Sequence, residues 1–248
     1  MPPHSTNNHA SNNYAFGNRL LDAAPPDVAE RLRPHLEIVA LHANQAIHEP
    51  GATVEHAFFP TRGLISLVAT MRDGASVEVG MIGKEGMFSV SAILGDDEPS
   101  QRAMVQLAGS ALRMPARVLR QEAQASAPLQ ALLLRYAQVT LTTAAQTAAC
   151  NRLHLLEQRC ARWLLSAHDR AEENTFRMTH EFLAMMLGVR RPGVTIAVQS
   201  LQASGMMTYN HGTMTILDRT SMEAAACECY PFVQDEFARL LGSAPPGS

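Results

Sequence analysis

The sequence predicts an α+β protein with an N-terminal jelly-roll β-barrel, a long helix, and a C-terminal winged helix-turn-helix. Two changes of hydrophobic period indicate this: short alternating runs dominate residues 38–115, and helical spacing dominates on both sides of them. A third observation is the order helix, turn, helix and hairpin between Met178 and Arg219. We therefore divide the chain into a disordered tail (1–16), a β-domain (17–120), a long dimerisation helix (121–153), a winged helix domain (154–222), and a C-terminal helix and tail (223–248).

Composition and charge limit which partners and which compartment the chain can have. The chain has 248 residues and a net charge of −3, so a nucleic-acid contact needs a local basic patch. Between Arg152 and Arg191, seven arginines accompany five acidic residues. No apolar run approaches the roughly 20 residues of a membrane span, and no leader is recognisable, so we expect a cytoplasmic protein without a membrane partner. The four cysteines form no CxxC pair, which fits a reducing compartment.

The first half of the chain changes from helix to strand. Residues 1–16 and 243–248 have almost nothing to bury and are predicted to be disordered. Residues 18–36 have helical spacing that Pro25-Pro26 divides into two pieces. The strand-like runs that follow are 37–41, 57–59, 63–69, 76–82 and 103–107. Several short strands at near-regular spacing are typical of a sandwich or jelly-roll barrel.

A long helix is predicted from Pro128 to about Leu153. Between Gln121 and Cys150 the only charged residues are Glu122 and Arg135, so almost no face of this helix suits open water. We expect one face to pack on the β-domain and the other on a second copy, in a parallel two-fold dimer. A helix buried within its own domain is the alternative.

The winged helix-turn-helix follows after a further helix at 154–169. Thr179 is suited to cap a first helix, and Gly188 supplies the tight turn. Pro192 fits the first turn of a second helix, whose apolar positions Val194, Val198 and Leu201 should point inward. Two β-rich runs, 206–209 and 213–217, joined by Asn210-His211-Gly212, predict the wing.

Arginine side chains mark the second helix as the candidate reader of DNA. Arg190 and Arg191 stand at its N-terminal end, where side chains of such motifs reach phosphates and guanine edges in the major groove. The sequence therefore predicts binding to double-stranded DNA.

Two motifs resemble the Crp/Fnr superfamily of bacterial transcription regulators over residues 18–219. They are Phe182-Leu-Ala-Met-Met-Leu-Gly-Val-Arg-Arg-Pro-Gly-Val-Thr, followed by Ser204-Gly-Met-Met-Thr-Tyr, and Gly83-Lys-Glu-Gly-Met-Phe-Ser-Val. The resemblance implies a homodimer on a two-fold symmetric operator, an effector in each β-domain, and RNA polymerase as a possible partner. By position, the implied DNA-contacting set is Thr179, Arg190, Arg191, Val194, Thr195 and Gln199. Because Arg190-Arg191-Pro192 replaces the Ser-Arg-Glu run of the best-known members, their operator consensus does not transfer.

The resemblance also implies an effector pocket in the β-domain. The candidate residues are Gly83, Glu85, Gly86, Met87, Gln101 and Arg102. Cyclic-nucleotide binders of this family hold the ribose with a Glu and the phosphate with an Arg-Ser pair. Glu85 aligns with the former, but Arg102 is shifted by one position, which in a strand turns its side chain to the other face. We therefore expect an unknown effector or none, with cyclic AMP or cyclic GMP as the alternative.

Other chemistry has little support in the sequence. It contains no His-x-His pair, no Walker spacing and no Gly-x-Ser-x-Gly elbow, so we expect neither an enzyme nor a metal site. Cys227 and Cys229 lie in a predicted helix (221–230), where thiols two apart point to different faces, so small buried residues are expected. A redox or metal switch through these cysteines is the weaker alternative. A signalling module whose winged helix contacts protein is the rival to DNA binding.

Overall fold

The computed structural model describes residues 15–171 and 173–242. The two predicted disordered tails lie almost entirely outside this range. Phe16 is an exception, because it packs against the core of the β-domain with the guanidinium of Arg33 4.4 Å above its ring. Phe16 therefore packs with the β-domain, although it was assigned to the tail.

Two short helices lead into the β-domain, as predicted: α1 (Arg19–Asp22) and α2 (Pro26–Leu32), the latter extended by a single 3₁₀ turn. Asn18 fixes the first of them. Its side-chain oxygen accepts a hydrogen bond from the Leu21 amide, and its amide nitrogen donates to the carbonyls of Pro60 and Gly86, each at 2.9 Å. A single buried side chain thus joins the lead-in to two parts of the domain.

The β-domain is one antiparallel sheet in which β5 pairs with β1, β2 and β3, and β3 pairs with β4. The strands are β1 (Glu37–Leu41), β2 (Ala46–His48), β3 (His56–Thr70), β4 (Ser76–Ile82) and β5 (Arg102–Pro115), with helix α3 (Val90–Leu94) between β4 and β5. Strand β3 runs through two of the predicted strands, 57–59 and 63–69.

Register shifts explain how β3 and β5 stay continuous. Their pairing shifts three times between Pro60 and Ile65, and bulges of this kind bend and twist a strand without ending it. Gly63 and Gly109 lie at the bend. A Cβ at Gly63 would meet the Leu107 carbonyl oxygen at 2.5 Å, and one at Gly109 would collide with the Arg62 carbonyl, so the strands approach here only because both positions lack side chains.

Two helices leave the sheet. Helix α4 (Ala116–Ala125) ends at Ser126, which caps the long helix α5 (Ala127–Leu153) by accepting from the Leu129 amide. The long helix predicted from Pro128 to about Leu153 is therefore confirmed, whereas the segment 121–153 assigned to it also takes in the end of α4. Residues 121–125 belong to a separate helix because Ser126 is extended, with φ −132°.

The winged helix domain follows the predicted order. Its elements are α6 (Leu156–His168), β6 (Thr175–Arg177), α7 (His180–Leu187), α8 (Arg191–Ala203), β7 (Met207–Asn210), β8 (Thr213–Ile216) and α9 (Arg219–Ala225). The C-terminal helix, α10 (Cys229–Leu241), follows and packs on the long helix. Strand β6 was missed, because three residues give too short a pattern; it pairs with β8 to complete a three-stranded wing. The predicted helix at 221–230 does not form as one piece, since α9 ends before Cys227 and α10 begins at Cys229.

The two domains share a hydrophobic core. Side chains alternate between the faces of a strand, so Ile65 and Val105 pack inside the β-domain. On the opposite face, Leu64 and Met104 join the core of the winged helix domain. The sheet is thus covered on both sides. No helix within the described residues is long and apolar enough to cross a membrane.

Candidate nucleic-acid interface and sensor turn

Two residues, Thr179 and Gly188, set the two ends of α7, the first helix of the helix-turn-helix. The Thr179 hydroxyl accepts a hydrogen bond from the Phe182 amide at 3.1 Å and caps α7, as predicted. Gly188 ends α7 in the left-handed region, with φ 64°, so that the chain turns directly into α8. A Cβ at Gly188 would also lie 3.0 Å from Val77 of β4. The turn is therefore fitted against the β-domain.

The outward side of α8 carries the side chains that could contact DNA. Arg190 and Arg191 are exposed at its N-terminal end, and Gln199 is exposed two turns further on. Arg191 approaches Glu181 only to 3.9 Å, with both side chains mostly in water, so this pair constrains it weakly. Both guanidinium groups are thus available to a phosphate or a base edge.

Val194 does not belong to this surface. Its side chain is 0% exposed and packs in the core with Val198 and Leu201, one helical turn from the exposed residues. The prediction that Val194 contacts DNA was therefore wrong, whereas its predicted inward position is confirmed. Helical spacing gives the reason, because positions 194, 198 and 201 share one face.

Ile196 was missed by the sequence reasoning. It is 68% exposed and lies between Pro192 and Gln199 on the outer face of α8. The signal was available, since Gln199, three positions after it, was already assigned outward. An apolar side chain here is suited to contact a thymine methyl group.

A ring stack ties the helices to the wing. The His180 ring lies 4.2 Å from the Tyr209 ring, nearly parallel, and its Nδ1 is 3.1 Å from the Thr195 hydroxyl. Burial, and then the charge of Arg191, lower the pKa of His180. A neutral imidazole therefore connects α7, α8 and β7, and it fixes Thr195 as a half-buried residue on the edge of the interface.

In the β-domain, the turn after β4 places a carboxylate against the winged helix domain. Glu85 is buried, and its Oε1 accepts from the Gly83 amide at 3.0 Å and from the Arg170 guanidinium at 3.0 and 2.5 Å. Arg170 follows the end of α6. Glu85, which was predicted to align with the family's ribose-binding carboxylate, is thus ion-paired with an arginine of the neighbouring domain.

The next two residues of this turn contact the long helix. The Tyr136 hydroxyl accepts from the Met87 amide and donates to the Met87 carbonyl, both at 3.0 Å. Gly86 packs directly on the Tyr136 ring, where a Cβ would lie 2.6 Å from Cε2. Of the predicted pocket residues, Gly83 and Glu85 therefore lie against Arg170, and Gly86 and the Met87 backbone lie against Tyr136.

The other two pocket candidates lie elsewhere. Gln101 is exposed, and Arg102 begins β5 and forms an ion pair with Glu49 at 3.0 Å. The structure does not join them to Glu85. A cavity of about 490 Å³ does open beside Glu85, between the β-domain and the helices. Its lining includes Glu78, Glu85, Thr143, Trp163, Arg170 and Tyr230.

Four potential ligand residues also converge at the end of α5. Cys227 precedes α10 and Cys229 is its first residue, so the two thiols do not point to different faces of one helix as predicted. Both are buried against Cys150. Hydrogen bonds from Cys227 and with His154 lower the pKa of Cys150, and the contact with Cys150 raises the pKa of Cys227. A thiolate on Cys150 is therefore stabilised.

Comparisons with known proteins agree with this architecture. Residues 38–126 match the family model of the cyclic nucleotide-binding domain, and residues 158–225 match that of the Crp-like helix-turn-helix domain. No curated protein sequence that we compared matches the chain.

Solved structures share the fold at low identity. A protein described as a transcriptional regulator of the Crp/Fnr family from Eubacterium rectale has a TM-score of 0.67 and 17% identity, over 85% of this chain and 99% of that one. FixK2 from Bradyrhizobium japonicum gives 0.65 and 14%, over 77% and 98%. The c-di-GMP responsive global regulator CLP from Xanthomonas campestris gives 0.61 and 17%, over 77% and 99%.

A β-domain of the cyclic nucleotide-binding type, fused through a long helix to a winged helix with an arginine-tipped outer helix, defines a two-domain DNA-binding regulator. Both domain models match in the expected order, and the solved neighbours carry the same layout. The chain belongs to the Crp/Fnr superfamily of transcriptional regulators.

Proposed function

We propose that this regulator acts as a homodimer that binds a two-fold symmetric duplex site, with one copy of α8 in each of two successive major grooves. The observation that carries the proposal is the exposed guanidinium pair, Arg190 and Arg191, at the N-terminal end of a helix whose outer face also presents Thr195, Ile196 and Gln199. Arginine at this position provides phosphate contacts and bidentate contacts to guanine.

The long helix offers the dimer contact. Its inner side packs on the β-domain and on α10, but Leu134 and Leu141 remain exposed on the other side, Leu141 to 65%. They are seven residues apart, and Ala148 continues the series, so they follow the heptad seam of a two-stranded coiled coil. A parallel pairing along this seam brings two copies of α8 to the same side of the molecule.

The contacts of Glu85, in the turn after β4, favour an effector other than a cyclic nucleotide. Glu85 is paired with Arg170 and Arg102 with Glu49, so the carboxylate and the guanidinium that such a ligand needs are both engaged and lie apart. A ligand of the 490 Å³ cavity would meet Glu85 and Arg170 together and would act directly on the contact between the domains. Regulation from a chromosomal site would place the dimer in the cytoplasm, beside RNA polymerase.

The test is the salt dependence of DNA binding. We expect the protein to bind a site selected from genomic fragments, with an affinity that falls as salt rises, because phosphate contacts release counterions. Arg191→Ala should weaken this binding by roughly 1–3 kcal/mol if it reads a base, and equally on all sequences if it holds a phosphate. Fluorescence anisotropy measures both.

Arg239→Ala is the matched control, since Arg239 is comparably exposed but lies on α10, paired with Glu236. Its affinity should equal that of the unmodified protein. Salt-independent association, or an unchanged affinity for Arg191→Ala, would instead support a signalling module whose winged helix contacts protein.

A further inference from the structure

The junction between the long helix and the winged helix domain contains three thiols and one imidazole in a single cluster. Cys150 lies in the last turn of α5, and His154 follows the end of that helix. Cys227 and Cys229 come from the link between α9 and α10. Their ligand atoms all lie within 4.8 Å of one another. Two chain segments separated by 77 positions thus meet through side chains that bind soft and borderline metal ions.

Two of the six spacings among these four atoms match the spacing of ligands around one tetrahedral ion. Zn–S bonds of about 2.3 Å and Zn–N bonds of about 2.0 Å place two sulfurs about 3.8 Å apart, and a sulfur and a nitrogen about 3.6 Å apart. The Cys150 and Cys227 sulfurs are 3.6 Å apart, and the Cys229 sulfur is 3.5 Å from His154 Nδ1. The cysteines of an iron–sulfur cluster bind to different iron atoms, so their sulfur atoms must lie farther apart than these do.

Neighbouring groups orient the ligands as they do in metal sites. The Glu228 carboxylate lies 3.1 Å from His154 Nε2 and accepts its hydrogen bond, so Nδ1 is the nitrogen that faces the thiols and would bind the ion. The Gln146 amide donates to the Cys229 sulfur at 3.0 Å. Both groups contact the ligand residues and not the position of the ion. Such contacts fix the tautomer of a histidine ligand and stabilise a bound thiolate.

The charges around the cluster also suit a divalent ion bound by three thiolates. Three thiolates and a divalent ion sum to one negative charge, and two arginines of α6, Arg159 and Arg162, interact electrostatically with Cys150. Each has a buried Nε–H without a hydrogen-bond partner among the described residues. The three cysteines are buried, whereas the His154 side chain is 17% exposed and gives an ion a route of entry.

We propose that Cys150, His154, Cys227 and Cys229 form a closed tetrahedral site for Zn²⁺, which fastens the α9–α10 link to the end of α5 beside the connection to the DNA-reading helices. Four protein ligands leave no open coordination position, so the ion is structural. The site holds together the junction between the long helix and the winged helix domain.

The experiment uses the full chain, purified under reducing conditions without chelator. We expect about one zinc per chain by elemental mass spectrometry. After the zinc is removed, one equivalent of Co²⁺ should restore visible bands of tetrahedral thiolate coordination. Adding Zn²⁺ should raise the Tm by roughly 5–10 °C, because an ion that binds only the folded state stabilises it.

Cys150→Ala and Cys229→Ala should lose the metal and the cobalt bands. Cys160→Ala is the matched control, since Cys160 is the remaining cysteine, also fully buried, but packs in the core of the winged helix domain; it should keep both. Because a buried cysteine variant can fail to fold, Glu228→Gln supplies a second test. This exposed, outer position should weaken Zn²⁺ binding roughly 10- to 100-fold while the chain stays folded.

Three results would overturn the proposal. The first is reduced, folded protein that binds neither Zn²⁺ nor Co²⁺. The second is a Cys150–Cys227 disulfide in protein isolated without an oxidant, seen by peptide mass. The third is stoichiometric iron with sulfide. None of these readouts involves DNA, so they are independent of the proposed operator binding.

Discussion

The Trp163 indole N–H donates a hydrogen bond of 2.7 Å to the Glu78 carboxylate, and this bond crosses from α6 of the winged helix domain to β4 of the sheet. The second carboxylate oxygen accepts from the Ser66 hydroxyl at 2.6 Å. Both Glu78 and Trp163 are buried. A polar contact in the shared core therefore sets how the two domains meet.

This contact predicts a pH dependence of stability. Burial raises the pKa of Glu78 from 4.5 to about 7, against the opposing effect of its hydrogen bonds. The folded state thus binds this proton more tightly than the unfolded state, and stability falls as pH rises from about 4.5 to about 7, by up to about 3 kcal/mol. We expect Glu78→Gln to remove this component. Urea denaturation of both proteins between pH 5 and 8 measures it; parallel stability curves would contradict the assignment.

The Glu85–Arg170 ion pair predicts strong coupling between the turn after β4 and the end of α6. Each side chain is 11% exposed, so Arg170→Met leaves a buried carboxylate without its cation and should cost about 3–5 kcal/mol. Adding Glu85→Gln removes the stranded charge and should recover part of the loss. A double-mutant cycle by chemical denaturation tests this, and simple additivity of the two changes would argue against the coupling.

Substitutions at two residues of α8 should affect stability and DNA binding separately. Val194→Ala opens a cavity in the core of the winged helix domain and should lower stability by about 2 kcal/mol. Gln199→Ala changes an exposed side chain and should leave the Tm nearly unchanged while weakening DNA binding. Thermal denaturation and anisotropy on the same two variants provide the comparison. The reverse pattern would mean that α8 is rotated relative to the structure.

The exposed seam of α5 predicts the oligomeric state. Leu141→Glu places a charge in the proposed helix pair and should convert the dimer to a monomer in analytical ultracentrifugation. Leu94→Glu is the control, because Leu94 is a comparably exposed leucine at the end of α3, away from the seam. Dissociation by both variants, or by neither, would place the dimer contact elsewhere.

The sequence by itself determined the order of the elements and the local features of the reading motif. The Thr179 cap, the Gly188 turn and the position of Pro192 depend on residues within a few positions, and all three have the expected geometry. The family resemblance is confirmed for the same reason, since its motifs are local. The segment assigned to the long helix also took in residues 121–125, which one extended residue, Ser126, separates from α5.

Only the tertiary structure decided which distant side chains meet. Glu85 with Arg170 and Glu78 with Trp163 are each paired 85 positions apart, and no periodicity reports such contacts. The same holds for the cluster of Cys150, His154 and the two later cysteines, since neither segment alone has metal-binding spacing. The hydrophobic pattern of a sequence specifies which face of a helix or strand is buried. The partner of a buried polar group depends instead on how the helices and strands pack, and buried polar groups form the contact between the two domains.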